Sequence, residues 1–318
     1  MIVDLFTRVW DAPPQMGEAI LAQLRRRRSA PWNDYDAGEQ AHAEAMAPVH
    51  TAVIHGLVSR RLGADIPAER VAELVARDPD RLRGFAGVDP LAGDPVAALD
   101  RAITLGLSGV TLSPALQGFH PQHSRALALY EACEARGVPI VFESGAGLAR
   151  EAAMEYAQPV LLDEVAREHP ELRIVITGLG DPFVDQALAL IAKHPTVFGE
   201  LSSIVPRPWR LYNALIEAYQ LGVMNQLLFG SGFPLQRPDR AIVAIYSASG
   251  TAQGTNLPGV PREQLRAVVE RDAFHCLGLK TPRAAIASTP SRPIAAGDPP
   301  DTPASTPGEP ARLEEAKR

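Results

Sequence analysis

Leu172-Arg173-Ile174-Val175-Ile176-Thr177 is a short apolar run between two segments whose apolar residues recur at helical spacing. Such a run, apolar on both faces, is typical of a strand in a parallel sheet covered by helices. Including this run, we predict strands at residues 2–9, 52–58, 82–88, 109–112, 139–142, 172–177, 197–201 and 227–229. Eight strands that alternate with helices are what a closed parallel barrel needs. The sequence therefore predicts an α/β fold, a (β/α)8 TIM barrel.

Helix starts between these strands are marked by proline. Asp94-Pro95 and Asp181-Pro182 each place a capping carboxylate before a proline at the first helical position, and another helix is predicted after Ile66-Pro67. An open, doubly wound sheet is the competing architecture, and it normally carries a glycine-rich phosphate loop early in the chain. The sequence has no such loop there, which favours the barrel.

Two segments depart from the strand–helix alternation and set the expected domain limits. We expect the barrel over residues 1–280, with residues 11–50 as an insertion that lies over the barrel mouth as a lid, because so long a connection is uncommon. Within it, Arg25-Arg26-Arg27-Arg28 could hold an anionic ligand, although a solvated helix face is the simpler interpretation. Residues 281–318 are rich in Pro, Ala, Ser and Thr, so we expect a disordered tail.

The composition argues against several classes of protein. The chain has 318 residues and a net charge of -6, whereas nucleic-acid and anionic-membrane surfaces favour basic faces. No apolar stretch approaches the roughly 20 residues that span a bilayer. Cys133 and Cys276 stand alone, so no disulfide framework or zinc-type spacing exists. The chain opens on a strand-like run rather than a secretory signal, and we expect a cytoplasmic protein that binds neither nucleic acid nor membrane.

Several segments occur in an order that carries a family resemblance. They are Pro79-Asp80-Arg81-Leu82-Arg83-Gly84-Phe85, Leu105-Gly106-Leu107-Ser108-Gly109-Val110-Thr111-Leu112-Ser113-Pro114, Gly137-Val138-Pro139-Ile140, Pro170-Glu171-Leu172-Arg173-Ile174-Val175-Ile176 and Gly232-Phe233-Pro234. Together they resemble the amidohydrolase-related family (amidohydrolase family 2), which includes aminocarboxymuconate-semialdehyde decarboxylase and related decarboxylases and hydrolases. The match runs from about residue 1 to residue 279. It implies a TIM barrel of the metal-dependent hydrolase type.

The family holds its metal with a His-x-His pair on the first strand, a His closing the fifth, often a His closing the sixth, and an Asp closing the eighth. Alternate strand residues face the same way, so the pair places two imidazoles inside the barrel. The resemblance assigns these positions here to Phe6, Arg8, Glu143, Gly178 and Gly232. Catalytic metal sites need about three protein ligands, and one carboxylate remains. We therefore expect the metal-ligand positions to be substituted, with no metal and no cofactor.

The replaced positions define the candidate site. A buried charge needs a partner, so we predict that Arg8 pairs with Glu143 or Asp4. The plainer interpretation is that such a pair only fills the space of the metal. A metal site relocated to His50, His55 and Glu143 is a further alternative. We expect the pocket to be lined by Asp4, Phe6, Gly178, Ser231 and Gly232.

Two functions are compatible with these residues. The first is a non-catalytic homologue that acts as a partner subunit, with an active amidohydrolase-family relative or with itself as a homo-oligomer, or as a small-molecule binder. The alternative is a metal-independent hydrolase, lactonase or decarboxylase acting on a small carboxylate or carbonyl substrate, since lactonases of this superfamily that act on pyrone dicarboxylates work without metal. Its candidate catalytic residues are Glu143, Arg8 and His55, with Arg8 stabilising an oxyanion or substrate carboxylate and Glu143 or His55 as general base.

Overall fold

The computed structural model describes residues 1–11, 13–26, 36–145 and 147–282. Its main sheet has eight parallel strands in the order β1-β2-β5-β6-β7-β8-β9-β10. The predicted TIM barrel is confirmed, and all eight predicted strands are present, with bounds that are identical at 109–112 and differ by one to three residues at the ends of the others. The strands are Val3–Thr7 (β1), Thr51–His55 (β2), Leu82–Gly87 (β5), Gly109–Leu112 (β6), Ile140–Phe142 (β7), Ile174–Ile176 (β8), Val197–Glu200 (β9) and Leu227–Leu228 (β10).

Main-chain hydrogen bonds join the two ends of this sheet. Leu5 N donates to Phe229 O at 3.0 Å, Gly232 N donates to Phe6 O at 2.9 Å, and Arg8 N donates to Phe233 O at 2.9 Å. The segment that follows β10 is thereby tied along β1. The pairing of β1 with β2 is irregular between Asp4 and Thr7. This irregularity lies beside the side chains that form the candidate site.

Alternate strand residues divide into an inner and an outer apolar layer. The inner cluster takes one or two residues from most barrel strands: Val3, Leu5, Val53, Phe85, Val141, Val175, Phe198 and Leu228. The helix α12 (Ala273–Cys276) contributes Phe274 to this cluster. Arg173, which precedes β8, donates to the carbonyl of Cys276 at 3.2 Å. The helix therefore packs at the amino-terminal ends of the strands and leaves their carboxyl-terminal ends to form the mouth.

The outer face of the barrel is covered by helices. Besides α12, the described part of the chain contains α1 (Glu18–Arg26), α2 (Glu39–Ala45), α3 (Ala68–Arg77), α4 (Pro95–Thr104), α5 (Pro114–Gln117), α6 (Ser124–Arg136), α7 (Asp163–Glu168), α8 (Val184–Lys193), α9 (Pro208–Gln220), α10 (Pro238–Tyr246) and α11 (Arg262–Glu270). Short 3-10 helices lie at Pro13–Gln15, Met154–Ala157, Pro159–Leu162, Thr177–Gly180, Met224–Gln226 and Ala248–Ala252. None of the helices in these ranges is long and apolar enough to cross a membrane.

One predicted helix start is confirmed and another is wrong. The Asp94 side chain accepts hydrogen bonds from the N–H groups of Val96 and Ala97, as a capping residue does. Asp181 caps nothing, because the chain turns at Gly178 and Leu179 through positive φ values and α8 begins only at Val184. The Asp181 carboxylate instead pairs with the Arg207 guanidinium at 2.7 Å.

A hairpin of β3 (Leu57–Ser59) and β4 (Ala64–Ile66) was not predicted. The second predicted strand ran on to residue 58, whereas β2 ends at His55 and the chain turns away at Gly56. A Cβ atom on Gly56 would lie 2.5 Å from the backbone nitrogen of Gly87, so this departure from the sheet requires glycine.

The predicted insertion contains two helices, α1 and α2. Residues 27–35, which include Arg27 and Arg28 of the arginine run, and the tail from residue 283 onward lie outside the described residues. The lid role and the domain limits therefore remain predictions.

Candidate functional site

An ion pair lies between two strands on opposite sides of the barrel. Arg8 directly follows β1, and Glu143 directly follows β7, the fifth strand of the barrel. Arg8 Nη1 donates to Glu143 Oε1 at 3.0 Å and Nη2 donates to Oε2 at 3.1 Å. The two side chains are only 6% and 5% exposed. The predicted pairing of Arg8 is confirmed with Glu143 as the partner, and Asp4 is not its partner.

Further contacts hold each partner of the Arg8–Glu143 pair in place. Glu143 N donates to Leu112 O at 2.7 Å, and Glu143 O accepts a hydrogen bond from Ser113 Oγ at 3.2 Å. The Arg8 guanidinium carbon lies 5.4 Å from the centre of the Phe6 ring, within the range of a cation–π contact. The two parallel hydrogen bonds between Arg8 and Glu143 restrict the orientation of the two groups as well as their distance.

His55 closes β2 beneath this pair, and both of its ring nitrogens are engaged. Nε2 lies 2.8 Å from Leu5 O and Nδ1 lies 2.7 Å from Thr111 Oγ1. A carbonyl oxygen can only accept, so Nε2 carries the proton and Nδ1 accepts from the threonine hydroxyl. Burial lowers the pKa of His55 to about 3. The imidazole is therefore neutral, and neither nitrogen is left to take a proton from a substrate.

Asp4 is fully buried on β1 and is held by one oxygen. Oδ1 accepts hydrogen bonds from Ser231 N at 2.9 Å and from Phe6 N at 3.3 Å. Oδ2 has no protein partner within the described ranges. Burial raises the pKa of Asp4 to about 7. Asp4 thus fastens the loop after β10 to β1 and titrates in the neutral range.

Glu200, at the end of β9, is a second buried carboxylate and was not among the predicted site residues. It accepts hydrogen bonds from Gly178 N at 3.1 Å, from Ser202 N at 2.6 Å and from Ser202 Oγ at 2.8 Å. Burial raises the pKa of Glu200 to about 7, with a smaller contribution from the charge of Asp4. Its position was a usable signal, because it follows the inward Phe198 by two residues in a predicted strand.

Gly178 and Gly232, two of the predicted pocket residues, have backbones that favour glycine. Their φ values are 55° and 73°, in the left-handed region that other residues rarely adopt. A Cβ atom on Gly178 would lie 2.4 Å from the Cβ of Ser203, and one on Gly232 would lie 2.9 Å from the Cβ of Ser202. A larger side chain at either position would require its neighbours to move.

The alternative site of His50, His55 and Glu143 is not assembled. His50 Nδ1 accepts a hydrogen bond from Ile2 N at 3.0 Å, which places it at the beginning of β1 and β2. His55 and Glu143 both lie at the carboxyl-terminal ends of their strands, whereas His50 lies at the amino-terminal end of β2. The three side chains therefore cannot meet. His42, on α2, lies 3.1 Å from Thr7 Oγ1 through its Nε2, and burial lowers its pKa to about 4.

The side chains to which the resemblance assigns the metal positions do not fit a divalent ion. The one carboxylate among them, Glu143, is bound through both oxygens to Arg8, a cation that has no lone pair to donate. No group of three or more His, Cys, Asp or Glu side chains in the described part of the chain is placed to hold a metal ion. Zinc sites in proteins use about three or four such donors.

Comparison with known families agrees with this architecture. The sequence model described as Amidohydrolase matches residues 7–271. The chain belongs to the amidohydrolase family. A comparison with curated proteins gave no match.

Solved structures of the same fold cover most of the chain. An uncharacterised TIM-barrel protein from Bordetella bronchiseptica matches with a TM-score of 0.64 and 19% identity, over 87% of this chain and 98% of its own. A probable 2-pyrone-4,6-dicarboxylic acid hydrolase from Acinetobacter baumannii, solved with citric acid, gives 0.61 and 16%, over 87% and 99%. A dihydroxybenzoic acid decarboxylase from Polaromonas sp. JS666, with bound manganese, gives 0.61 and 14%, over 87% and 96%. At these identities the likeness shows the fold alone.

The raised pKa values at the mouth predict a pH-dependent stability. Folded Asp4 and Glu200 have pKa values of about 7, above the roughly 4 of an unfolded carboxyl group. The folded state therefore binds more protons between these values, and the stability contributed by the two groups is lost as the pH rises from about 4 through about 7. Glu200→Gln should remove the pH-dependent contribution of Glu200 to the free energy of unfolding. The variant should therefore become more stable relative to the wild type as the pH rises.

Urea unfolding of both proteins across this range measures that difference. His42 and His55, with pKa values lowered to about 4 and about 3, act in the opposite sense, since their contribution is lost as the pH falls below about 6.5. The comparison with the wild type cancels this effect. Glu131→Gln, an exposed change on α6, is the matched control. Stability curves for Glu200→Gln and the wild type that stay parallel would contradict the burial argument.

Replacing one partner of the Arg8–Glu143 pair should lower the free energy of unfolding more than replacing both partners. Arg8→Met leaves the Glu143 carboxylate buried without its cation and should lower the free energy of unfolding by about 3–5 kcal/mol. The double change Arg8→Met/Glu143→Leu should recover much of this loss. Arg266→Met, which breaks the exposed pair with Glu270, should have little effect. If Arg8→Met is no more costly than Arg266→Met in chemical denaturation, the pair has no such role.

Proposed function

We propose that this amidohydrolase-family barrel has lost the metal site of its family and works as a non-catalytic homologue that binds a small molecule or a partner subunit. The observation that carries the proposal is the Arg8–Glu143 pair, which is two-pronged, buried and placed where the resemblance puts metal ligands. A guanidinium brings a positive charge to that place but has no vacant coordination position, so it cannot accept the lone pair of a water molecule or a carbonyl oxygen as a metal ion does.

The engaged acid–base groups support the same proposal. A general base must reach the proton that it removes with a free lone pair. Each Glu143 oxygen accepts from the Arg8 cation, which stabilises the carboxylate and makes it a weaker base, and both His55 nitrogens are bonded to Leu5 and Thr111. Proton transfer through His55 would first require one of its buried contacts to break, and proton transfer through Glu143 would work against its pairing with Arg8.

The partner and the cellular location follow as parts of the proposal. An active relative of the same family, or a second copy of this chain, is the proposed partner subunit. The proposed location is the cytoplasm, and the acidic net charge of -6 argues against nucleic-acid and anionic-membrane partners.

Metal binding tests the proposal directly. The full chain, equilibrated with Zn²⁺ or Mn²⁺ and then desalted, should retain no stoichiometric ion by elemental analysis. Phe6→His/Arg8→His/Glu143→His is the matched control, because it returns three imidazoles to the assigned positions and should retain Zn²⁺. One tightly held ion per wild-type chain would refute the proposal, whatever the triple variant does.

The Asp4 side chain supports a second candidate function, that of a metal-independent hydrolase. Its Oδ2 has no partner among the described residues, and its pKa of about 7 suits acid–base catalysis at neutral pH. The structural neighbour named as a probable 2-pyrone-4,6-dicarboxylic acid hydrolase suggests the substrate to try. We expect no hydrolysis of 2-pyrone-4,6-dicarboxylate by the wild type. Hydrolysis that Asp4→Asn abolishes, in a variant that remains folded, would establish this candidate instead.

A further inference from the structure

A groove lies at the amino-terminal ends of the barrel strands, at the end opposite the mouth. Its volume is about 770 Å³, within the roughly 300–1,000 Å³ of small-molecule sites. Among its lining residues, Arg83 is the second residue of β5, Ser108 directly precedes β6 and Val138 lies two residues before β7. A molecule bound in this groove would therefore be remote from the side chains of the mouth.

Four apolar side chains give the groove a surface for the body of a ligand. Ile103, on α4, is 41% exposed. Leu107, Val138 and Leu279 line the groove with it. Apolar area that a ligand removes from water contributes about 25 cal/mol per Å². The groove can therefore hold the apolar part of a molecule.

Positive charge predominates among the described residues of the lining. The one carboxylate there is that of Asp100, and it lies 3.0 Å from the guanidinium of Arg136. Arg83 and Lys280 line the same groove, and neither forms an ion pair with another described residue. The lining thus contains two cations whose charge no lining carboxylate matches.

Arg83 is the cation of this groove that an anion would stabilise most. Its Nη1 donates to the carbonyl oxygens of Pro79 and Leu82, at 2.5 and 2.7 Å, rather than to a carboxylate. Burial lowers the pKa of Arg83, and the charge of Asp80, which lies outside the lining, offsets this only in part. An anion beside a partly desolvated cation stabilises its charged form. The groove therefore favours a ligand that carries negative charge.

We infer that this groove binds an organic anion in which a carboxylate is joined to an apolar body, with Arg83 and Lys280 around the carboxylate and Ile103 against the apolar part. The inference does not rest on the proposed function, because the groove shares no residue with the mouth. A metal ion or turnover at the mouth would refute the proposed function and leave this site as it is.

Octanoate, octan-1-ol and octylammonium test the inference, because they have the same alkyl chain and differ in the charge of the head group. The reporter is the δ1-methyl resonance of Ile103 in full-length protein with ¹³C-labelled isoleucine methyl groups, assigned by its loss in Ile103→Val. At neutral pH and low ionic strength, octanoate should shift this resonance with a dissociation constant about fivefold below that of octan-1-ol, since partly exposed charges contribute modestly. Octylammonium should bind more weakly than the alcohol, and added salt should narrow both differences.

Lys280→Glu should abolish the preference for octanoate over octan-1-ol, because the described lining then carries as many negative as positive charges. Arg240→Glu is the matched control, since it makes the same change of charge at an exposed residue of α10 that does not line the groove, and it should keep the preference.

The absence of any Ile103 shift with octanoate, or octan-1-ol binding as tightly as octanoate, would overturn the inference. So would a folded Lys280→Glu protein that keeps the wild-type preference, or an equal loss of preference in Arg240→Glu, which would make net charge rather than the groove the cause. If Lys280→Glu does not fold, the contrast among the three compounds in the wild type decides.

Discussion

The contact on which the mouth of this barrel depends is the buried pair between Arg8 and Glu143. In the order of the sheet their strands, β1 and β7, are four positions apart among eight, so the pair joins opposite sides of the barrel. Two charges that leave water lose more hydration energy than they regain unless their geometry is good and their hydrogen bonds are made. Here both carboxylate oxygens are bonded, and the Phe6 ring lies against the guanidinium. The pair therefore limits what else the mouth can hold.

The remaining polar groups of the mouth are arranged around that fixed charge. His55 is neutral and held through both nitrogens, and Arg8 lowers its pKa further after burial has done so. Asp4 and Glu200 accept backbone N–H groups from the loops after β8, β9 and β10. These contacts use carboxylates to fasten loops, a structural use of groups that in other barrels face a substrate. One fixed cation and one fixed anion thus lie beside two carboxyl groups that titrate near neutral pH.

The sequence was most informative where one local rule decides the outcome. Buried apolar runs predicted every barrel strand, and Asp94 before Pro95 predicted a helix start, because both patterns depend on neighbouring residues alone. The Arg8–Glu143 pair was predictable because a buried charge needs a partner and the family resemblance fixed the register. The turn at Gly56, the uncapped start of α8 and the position of His50 were not predictable in this way. Each depends on contacts between residues far apart in the chain, such as Gly56 with Gly87 or Asp181 with Arg207.

At two of the positions that the resemblance assigns to metal ligands, the backbone itself disfavours a ligand side chain. At Gly178 the chain has a positive φ, its N–H is bound by Glu200, and a Cβ atom would collide with Ser203. At Gly232 the φ is also positive, and the N–H is bound by Phe6 O. A histidine or aspartate returned to these positions would have to adopt a disfavoured backbone and displace a neighbour. Phe6, Arg8 and Glu143 lie on or beside ordinary strand ends and carry no such restriction. Substitutions that introduce metal ligands are therefore restricted at the ends of the sixth and eighth barrel strands (β8 and β10) rather than at the first and fifth (β1 and β7).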